Sequence, residues 1–146
     1  MIGKTVIAFD YGINQIGLAV GQTLTGSANG IDVLRARDGQ PNWDQVQSVI
    51  ETWRPSLLLV GLPLNMDGTE SDFCGRARKF GRRLHGRFGL ETLMVDERLS
   101  TREAKSRDRE RSGKTRQNYR QDPIDNIAAQ IILESWLSDP NASQVP

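Results

Sequence analysis

A continuous apolar segment near the N-terminus, Val6–Phe9, constrains the fold of this chain more than any other feature. Four apolar residues in a row are typical of a strand that is covered on both faces. The segment ends at Asp10, and Gly12 follows two residues later. A carboxylate at the end of a buried strand is costly to desolvate unless a cation or a hydrogen-bond donor meets it. Two interpretations follow: Asp10 is a turn residue, or it binds a divalent metal at the end of a central strand.

Length and composition narrow the class of protein. The 146 residues are enough for one domain with one core, and 37% apolar with 25% charged residues is typical of a soluble globular protein. The sequence has no apolar stretch of membrane-spanning length and no signal-peptide pattern, so we expect a cytoplasmic protein. The single Cys74 and the single His85 argue against a disulfide framework, a thiolate zinc cluster and histidine-based triads. A metal in this protein would be bound by oxygen atoms.

The net charge of +1 conceals a strong segregation of charge along the chain. Residues 76–120 carry 15 of the 19 basic side chains and have a balance of +9, whereas residues 1–75 and 121–146 each have a balance of −4. Such asymmetry favours a polyanionic partner that approaches from one side. The alternative is a solvated helical surface without a partner.

The pattern predicts three extended segments followed by alternating helices and strands. Residues 12–15 have turn chemistry, and Asn42 with Gln45 has the spacing of a helix-capping box. The predicted strands cover about 6–10, 16–20, 30–37, 57–60 and 92–95. The predicted helices cover about 43–53, 70–87, 99–111 and 123–137, with a basic loop over 112–121.

This order of elements matches the ribonuclease H-like α/β fold. We therefore expect a mixed five-stranded sheet, with three antiparallel and two parallel strands, and with helices on both faces. The domain is predicted to span residues 1–138, and residues 139–146 are predicted to form a flexible C-terminal tail.

Three acidic residues occupy comparable places in this fold. Asp10 ends the first strand, Glu97 follows the fifth, and Asp125 lies in the first turn of the last helix. Because the ends of neighbouring parallel strands meet at one edge of a sheet, we expect these carboxylates to converge. Hard oxygen ligands are what Mg²⁺ or Mn²⁺ prefers, and two such ions could activate a water for phosphodiester hydrolysis.

Each of these acids also has a simpler interpretation. Asp125 could only stabilise the helix dipole. Asp96 and Glu97 are adjacent, so on a strand they face opposite sides, and the residues alone leave open which one joins Asp10. Asp67, before Gly68, could be a turn residue, although its loop follows a central strand where α/β proteins bind ligands.

Four segments of the sequence resemble one family, the YqgF/RuvX family of pre-16S rRNA nucleases and Holliday-junction-resolvase-like proteins. The resemblance runs from about residue 4 to residue 137. It is carried by segments at 9–21, at 60–69 (VGLPLNMDGT), at 96–104 (DERLSTREA) and at 124–133 (IDNIAAQIIL).

The resemblance implies a cytoplasmic nuclease that processes the 5′ end of the small-subunit rRNA precursor. It implies that Asp10, Glu97 and Asp125 are catalytic and bind the metal ions, and it favours Glu97 over Asp96. We expect a two-ion Mg²⁺ or Mn²⁺ site, with Asp10 shared by both ions. Weaker site candidates are Asp96, Asn65 and Asp67. Cations expected to contact nucleic-acid phosphates are Arg76, Lys79, Arg83, Arg98 and Arg102.

The partner is expected to be structured RNA rather than a DNA junction, and the protein a monomer or weak homodimer without membrane contact. One alternative is a dimeric Holliday junction resolvase, since a junction needs two symmetric cuts. A second is a non-catalytic RNA-binding protein of ribosome assembly. A third, an ATP-binding relative of actin and sugar kinases, would need two such domains.

Overall fold

The computed structural model describes residues 3–65, 67–96 and 123–146, with backbone only at 123–126. The described part contains six strands, three α-helices and a short 3₁₀ helix. The strands are β1 (Thr5–Asp10), β2 (Gln15–Gln22), β3 (Ser27–Arg37), β4 (Gln40–Pro41), β5 (Leu57–Leu62) and β6 (Glu91–Asp96). The helices are α1 (Trp43–Trp53), α2 (Asp72–Phe88), α3 (Pro123–Ser138) and the 3₁₀ helix Pro140–Ala142. The predicted helix 99–111 and the basic loop 112–121 lie outside the described residues.

The strands form one mixed sheet in the order β4-β3-β2-β1-β5-β6. Strands β1 to β4 are joined antiparallel, and β5 and β6 continue the sheet parallel to β1. This confirms the ribonuclease H-like arrangement that was expected. None of the helices in the described parts of the chain is long and apolar enough to cross a membrane.

Within the described residues, the sheet has six strands rather than the predicted five. The additional strand, β4, pairs with the end of β3 through a tight turn at Asp38 and Gly39, whose φ angles are 49° and 79°. Two central residues with positive φ are the requirement of a type I′ hairpin turn, which Asp-Gly favours. The Asp-Gly pair is thus the sequence signal for this additional hairpin, which was not among the predicted elements.

Strand alternation divides the core into two layers. Ile7 and Phe9 of β1 pack on the face that is covered by α1 and α2. Val6 and Ala8 pack on the opposite face, against α3. Because β1 is buried on both faces, it has a continuous apolar sequence rather than an alternating one.

Helix α3 crosses its face of the sheet in a defined direction. Leu133 packs against Gly21, which pairs with Val6 at the start of β1. One turn earlier, the side-chain oxygen of Gln130 accepts a hydrogen bond of 3.1 Å from the backbone N–H of Gly30, farther along the sheet. The N-terminal end of α3 therefore lies toward the carboxyl end of β1.

The last residues make defined contacts with β6 and α2. Met94 and Gln144 exchange backbone hydrogen bonds of 2.6 and 3.0 Å. Arg78 donates to Gln144 Oε1 and to both carboxylate oxygens of Glu70, the latter at 2.7 and 3.0 Å. The flexible tail expected for 139–146 thus lies along the outer edge of the sheet. Its sequence does not indicate this, because the contacts depend on residues 50 or more positions away.

The ion pair between Glu70 and Arg78 predicts a pH-dependent attachment of the C-terminus. The hydrogen bond from Arg78 lowers the pKa of the Glu70 carboxyl below its usual value. The contribution of the pair is therefore present above that usual value and is lost as the pH falls through the lowered pKa. We expect Glu70→Gln to speed hydrogen exchange at the Gln144 N–H by about twofold to fivefold at neutral pH. Equal exchange rates in the two proteins would contradict this role.

Candidate active site

The carboxyl ends of the three parallel strands lie at the same edge of the sheet. Phe9 of β1 is aligned with Val60 of β5, and Val60 is aligned with Met94 of β6. Asp10 follows this row by one residue and Asp96 by two. This edge is where open α/β sheets bind their ligands.

Asp10 lies on the α3 face of this edge. The alternation along β1 puts residues 6, 8 and 10 on that face, and Val6 and Ala8 are packed in the α3 layer. Asp10 is partly exposed, unlike the four buried residues before it. The strand therefore ends with its carboxylate at the boundary between core and solvent.

Asp96 lies on the other face. Val95 belongs to the layer under α3, whereas Met94, two residues before Asp96, belongs to the layer under α1 and α2. The register partner of Asp96 is Leu62, which is also packed in the α1 and α2 layer. Asp96 is therefore not on the face that carries Asp10.

Gly61 is a position that sequence reasoning missed. It lies in β5, between β1 and β6, and alternation puts it on the α3 face, after Leu57 and Leu59 of the same layer. Neighbouring strands are about 4.8 Å apart, so the ends of β1 and β6 are about 10 Å apart across Gly61. Because a glycine has no side chain, the space between these two ends is not filled from β5. An isolated glycine in an apolar strand was the signal that could have indicated this.

The backbone of Asp125 lies in the first turn of α3. This position is four residues before Ala129, which packs against the sheet, so both belong to the same side of the helix. Because the N-terminal end of α3 lies toward the carboxyl end of β1, residue 125 is at the same end of the sheet as Asp10.

Three of the predicted site residues, Glu97, Arg98 and Arg102, lie outside the described residues. Among the residues that are described, no group of three or more His, Cys, Asp or Glu side chains could hold a metal. The predicted set includes Glu97 and the side chain of Asp125, which are not among them, so the complete set stays a prediction.

Asn65 and Asp67 form part of a local turn. The side chain of Asn65 donates to Thr69 Oγ1 at 3.0 Å, and Asp67 Oδ1 accepts hydrogen bonds from the backbone N–H and the hydroxyl of Thr69. These contacts fit the interpretation of Asp67 as a turn residue and give the loop after β5 its shape.

The cations predicted on α2 line one cleft. Arg76, Lys79 and Arg83 face the β3–β4 hairpin, on the side of the sheet opposite α3. We call this the α2 cleft; its volume is about 120 Å³. Its lining residues are Tyr11, Gly39, Gln40, Arg76, Lys79, Phe80 and Arg83. Its three cations were predicted from the sequence, and the hairpin that faces them was not.

Comparison with known proteins places the chain in a family. The family model RuvX, described as Holliday junction resolvase, matches residues 4–139. The chain belongs to the RuvX family. This confirms the resemblance seen in the sequence, and the chain is accordingly a nuclease of the resolvase-like class.

Relatives of this RuvX-family nuclease are similar over nearly their whole length. A protein of Saccharophagus degradans is 52% identical over 136 residues, covering 93% of this chain and 94% of the relative. A protein of Chromohalobacter salexigens is 56% identical over 138 residues, covering 93% and 90%. Both are named "Putative pre-16S rRNA nuclease".

Solved structures share the fold at low sequence identity. Thermus thermophilus RuvC in complex with a Holliday junction substrate has a TM-score of 0.55 and 16% identity, covering 97% of this chain and 98% of RuvC. The fowlpox virus resolvase in complex with Holliday junction DNA has a TM-score of 0.56 and 13% identity, covering 94% and 99%. At such identities the likeness supports the fold and not the substrate.

Proposed function

We propose that this RuvX-family nuclease hydrolyses phosphodiesters of structured RNA in a metal-dependent reaction, as a cytoplasmic enzyme of 5′-end maturation of pre-16S rRNA. The observation that carries the proposal is the position of Asp10 on the α3 face of the carboxyl edge. The names of relatives about 50% identical over nearly the whole chain support the substrate. We propose a monomer or weak homodimer.

The proposed catalytic residues are Asp10, Glu97 and Asp125. Asp10 is at the end of a rigid, doubly covered strand, which limits the movement of its carboxylate. The backbone of Asp125 is at the same end of the sheet, on the helix that covers the same face. Asp96 is on the opposite face, which favours Glu97 as the third acid.

The chemistry of these donors fits Mg²⁺ or Mn²⁺. All three are carboxylates, and hard divalent cations prefer such oxygen ligands. When bound, such cations polarise the phosphate and lower the pKa of a water. Asp10, Glu97 and Asp125 would hold them, and the carboxylates would orient the attacking water. Arg98 and Arg102 would contact flanking phosphates and thereby hold the substrate in place.

The second candidate is cleavage of Holliday junctions by a dimer. It is favoured by the description of the family model, Holliday junction resolvase. A junction resolvase needs two sites related by symmetry, so this candidate requires a dimer at the enzyme concentrations used in the assay.

A cleavage assay on a panel of substrates tests these two candidates. We expect cleavage of a precursor rRNA fragment containing the 5′ end of 16S rRNA, with little cleavage of duplex DNA or a four-way junction. Chelation by EDTA should abolish cleavage, and added Mg²⁺ or Mn²⁺ should restore it. Symmetric cuts in the junction, together with a dimer in sedimentation, would instead support the resolvase. Metal-independent cleavage would contradict the proposed chemistry.

A further inference from the structure

The α2 cleft combines three cations with a rigid apolar floor. Arg76, Lys79 and Arg83 are spaced by three and four residues, so they lie along one side of the helix. The floor is formed by the rings of Phe80 and Tyr11, which are 3% and 7% exposed and have their centroids 4.9 Å apart. The floor is therefore fixed by packing, and the three charges line one side of the hollow above it.

Both guanidinium groups are held in place by the β3–β4 hairpin. Arg76 Nη2 donates to the backbone oxygen of Asp38 at 2.7 Å and to its carboxylate at 3.1 Å. Arg83 Nη1 donates to Gln40 Oε1 at 2.9 Å. Each contact uses one nitrogen of a group with five N–H donors, so both arginines keep donors for a ligand. A pre-oriented arginine loses less conformational entropy on binding than a mobile one.

Lys79 lies between the two arginines on the helix. It is exposed and forms no hydrogen bond or ion pair with the residues that the structure describes. Of the described residues at the cleft, only Asp38 contributes a negative charge, through its ion pair with Arg76. The excess of two positive charges, with donors from three side chains, suits a compact anion that has several acceptor oxygens.

We propose that the α2 cleft binds a phosphate group of the substrate strand other than the phosphate that is hydrolysed. The cleft lies on the face of α1 and α2, whereas Asp10 lies on the face of α3, so one phosphate cannot occupy both positions. The identity of the ligand as part of a nucleic-acid strand rests on the proposed function. Binding of the phosphate itself requires neither metal nor cleavage.

The cleft is tied to the strand that carries Asp10. The backbone N–H of Gly39 donates to the carbonyl of Ile13 at 2.8 Å, and the Tyr11 hydroxyl donates to the carbonyl of Gly39 at 3.1 Å. Tyr11 directly follows Asp10, so the hairpin tip and the end of β1 are held together by two hydrogen bonds. A phosphate in the cleft would thus anchor the strand at a fixed distance from Asp10.

Opposite effects of neighbouring charges give the sharpest test. Lys79→Gln and Arg83→Gln should each weaken binding, because each removes a cation from the cleft. Asp38→Asn should strengthen binding, because it removes the only negative charge that the described residues contribute at the cleft, and the hydrogen bond that remains with Arg76 is no longer an ion pair. The turn should survive, since Asn tolerates positive φ and Asn-Gly is favoured in type I′ turns. General damage to the fold cannot increase affinity.

Arg82→Gln is the matched control. Arg82 is on the same helix and is exposed, but it donates to the backbone oxygen of Pro146 rather than lining the cleft. It therefore tests the loss of one α2 positive charge without any change in the cleft.

The experiment measures the affinity of the full-length protein, in EDTA, for a single-stranded RNA oligonucleotide with either a 5′-phosphate or a 5′-hydroxyl group. We expect Lys79→Gln and Arg83→Gln to lower affinity about threefold to tenfold, and Asp38→Asn to raise it about twofold to threefold. The slope of log affinity against log salt should fall by about 0.7 for each lost contact. If the substitutions change the affinity for both oligonucleotides, the cleft binds an internal phosphate of the strand. If they change only the affinity for the 5′-phosphorylated oligonucleotide, the cleft binds the terminal phosphate. Inorganic phosphate, added as a competitor, reports whether the cleft also takes the free anion.

The inference is overturned if Arg82→Gln weakens binding as much as Arg83→Gln does, or if Asp38→Asn fails to raise affinity. Its failure is distinguishable from that of the proposed function. If the wild-type protein cleaves no substrate with Mg²⁺ or Mn²⁺ but the binding pattern holds, only the proposed function fails. If metal-dependent cleavage is observed but the binding pattern is absent, only the inference fails.

Discussion

Asp10→Asn is expected to slow cleavage at least about a hundredfold while the protein remains folded and still binds its substrate. The substitution keeps the shape of the side chain but removes the negative charge that would hold a divalent cation. Second-shell partners of metal sites already contribute about 10-fold to 100-fold, so a direct ligand should contribute at least as much. The measurements are kcat and KM on the precursor rRNA fragment, with kcat carrying the loss.

Asp96→Asn is the matched comparison for this prediction. Asp96 is the same residue type at the same edge of the sheet, but it faces the α1 and α2 layer. We expect less than about a fivefold loss of kcat, because the residue is not on the face of Asp10. Comparable losses in the two variants would show that the division of faces does not determine catalysis. Full activity of Asp10→Asn would contradict the catalytic role proposed for Asp10. It would favour the interpretation that this protein is a non-catalytic RNA-binding protein.

Gly21→Ala is expected to lower the free energy of unfolding by about 3 kcal/mol or more. A Cβ at this position would clash with the backbone oxygen of Ser27 and would lie 2.7 Å from Leu133 Cδ2. Leu133 is fully buried. Either β3 or α3 would have to move, and both are held by the packing of the sheet. Chemical denaturation monitored by circular dichroism measures the change, and reduced nuclease activity should accompany it because α3 carries Asp125.

Gly86→Ala provides a control with the opposite sign. Gly86 is an exposed residue of α2, and a Cβ there meets nothing within 4 Å. Alanine is a better helix former than glycine, so this variant should be more stable by about 0.5 to 1 kcal/mol. A Gly21→Ala protein as stable as wild type would contradict the close approach of α3 to the sheet. A destabilised Gly86→Ala protein would contradict the open surroundings of that residue.

Much of the architecture follows from local patterns that the sequence displays. The continuous apolar runs of β1 and β5 predict central strands, and Asn42 caps α1 as expected, its side chain accepting a hydrogen bond from the Asp44 N–H at 3.0 Å. The Asp38-Gly39 turn also has a local sequence signal, although it was not among the predicted elements. These features were predictable because strand burial, helix capping and hairpin turns depend on neighbouring residues.

Only the tertiary structure separates Asp96 from Asp10. Each is an acidic residue at the end of an apolar strand. The residue types alone therefore do not indicate on which face of the sheet each side chain lies. The face depends on which alternate residues of each strand point toward α3 and which point toward α1 and α2. This assignment of residues to faces follows from the register between β1, β5 and β6.

The sequence by itself indicated the family, the acidic residues that define the candidate chemistry, and the order of the described elements apart from β4. The tertiary structure decided which of those groups share a surface. Arg76 contacts Asp38 across 38 positions, and Gln144 pairs with Met94 across 50. Contacts between distant residues depend on how complete elements pack together, and no local pattern of residue types records that packing.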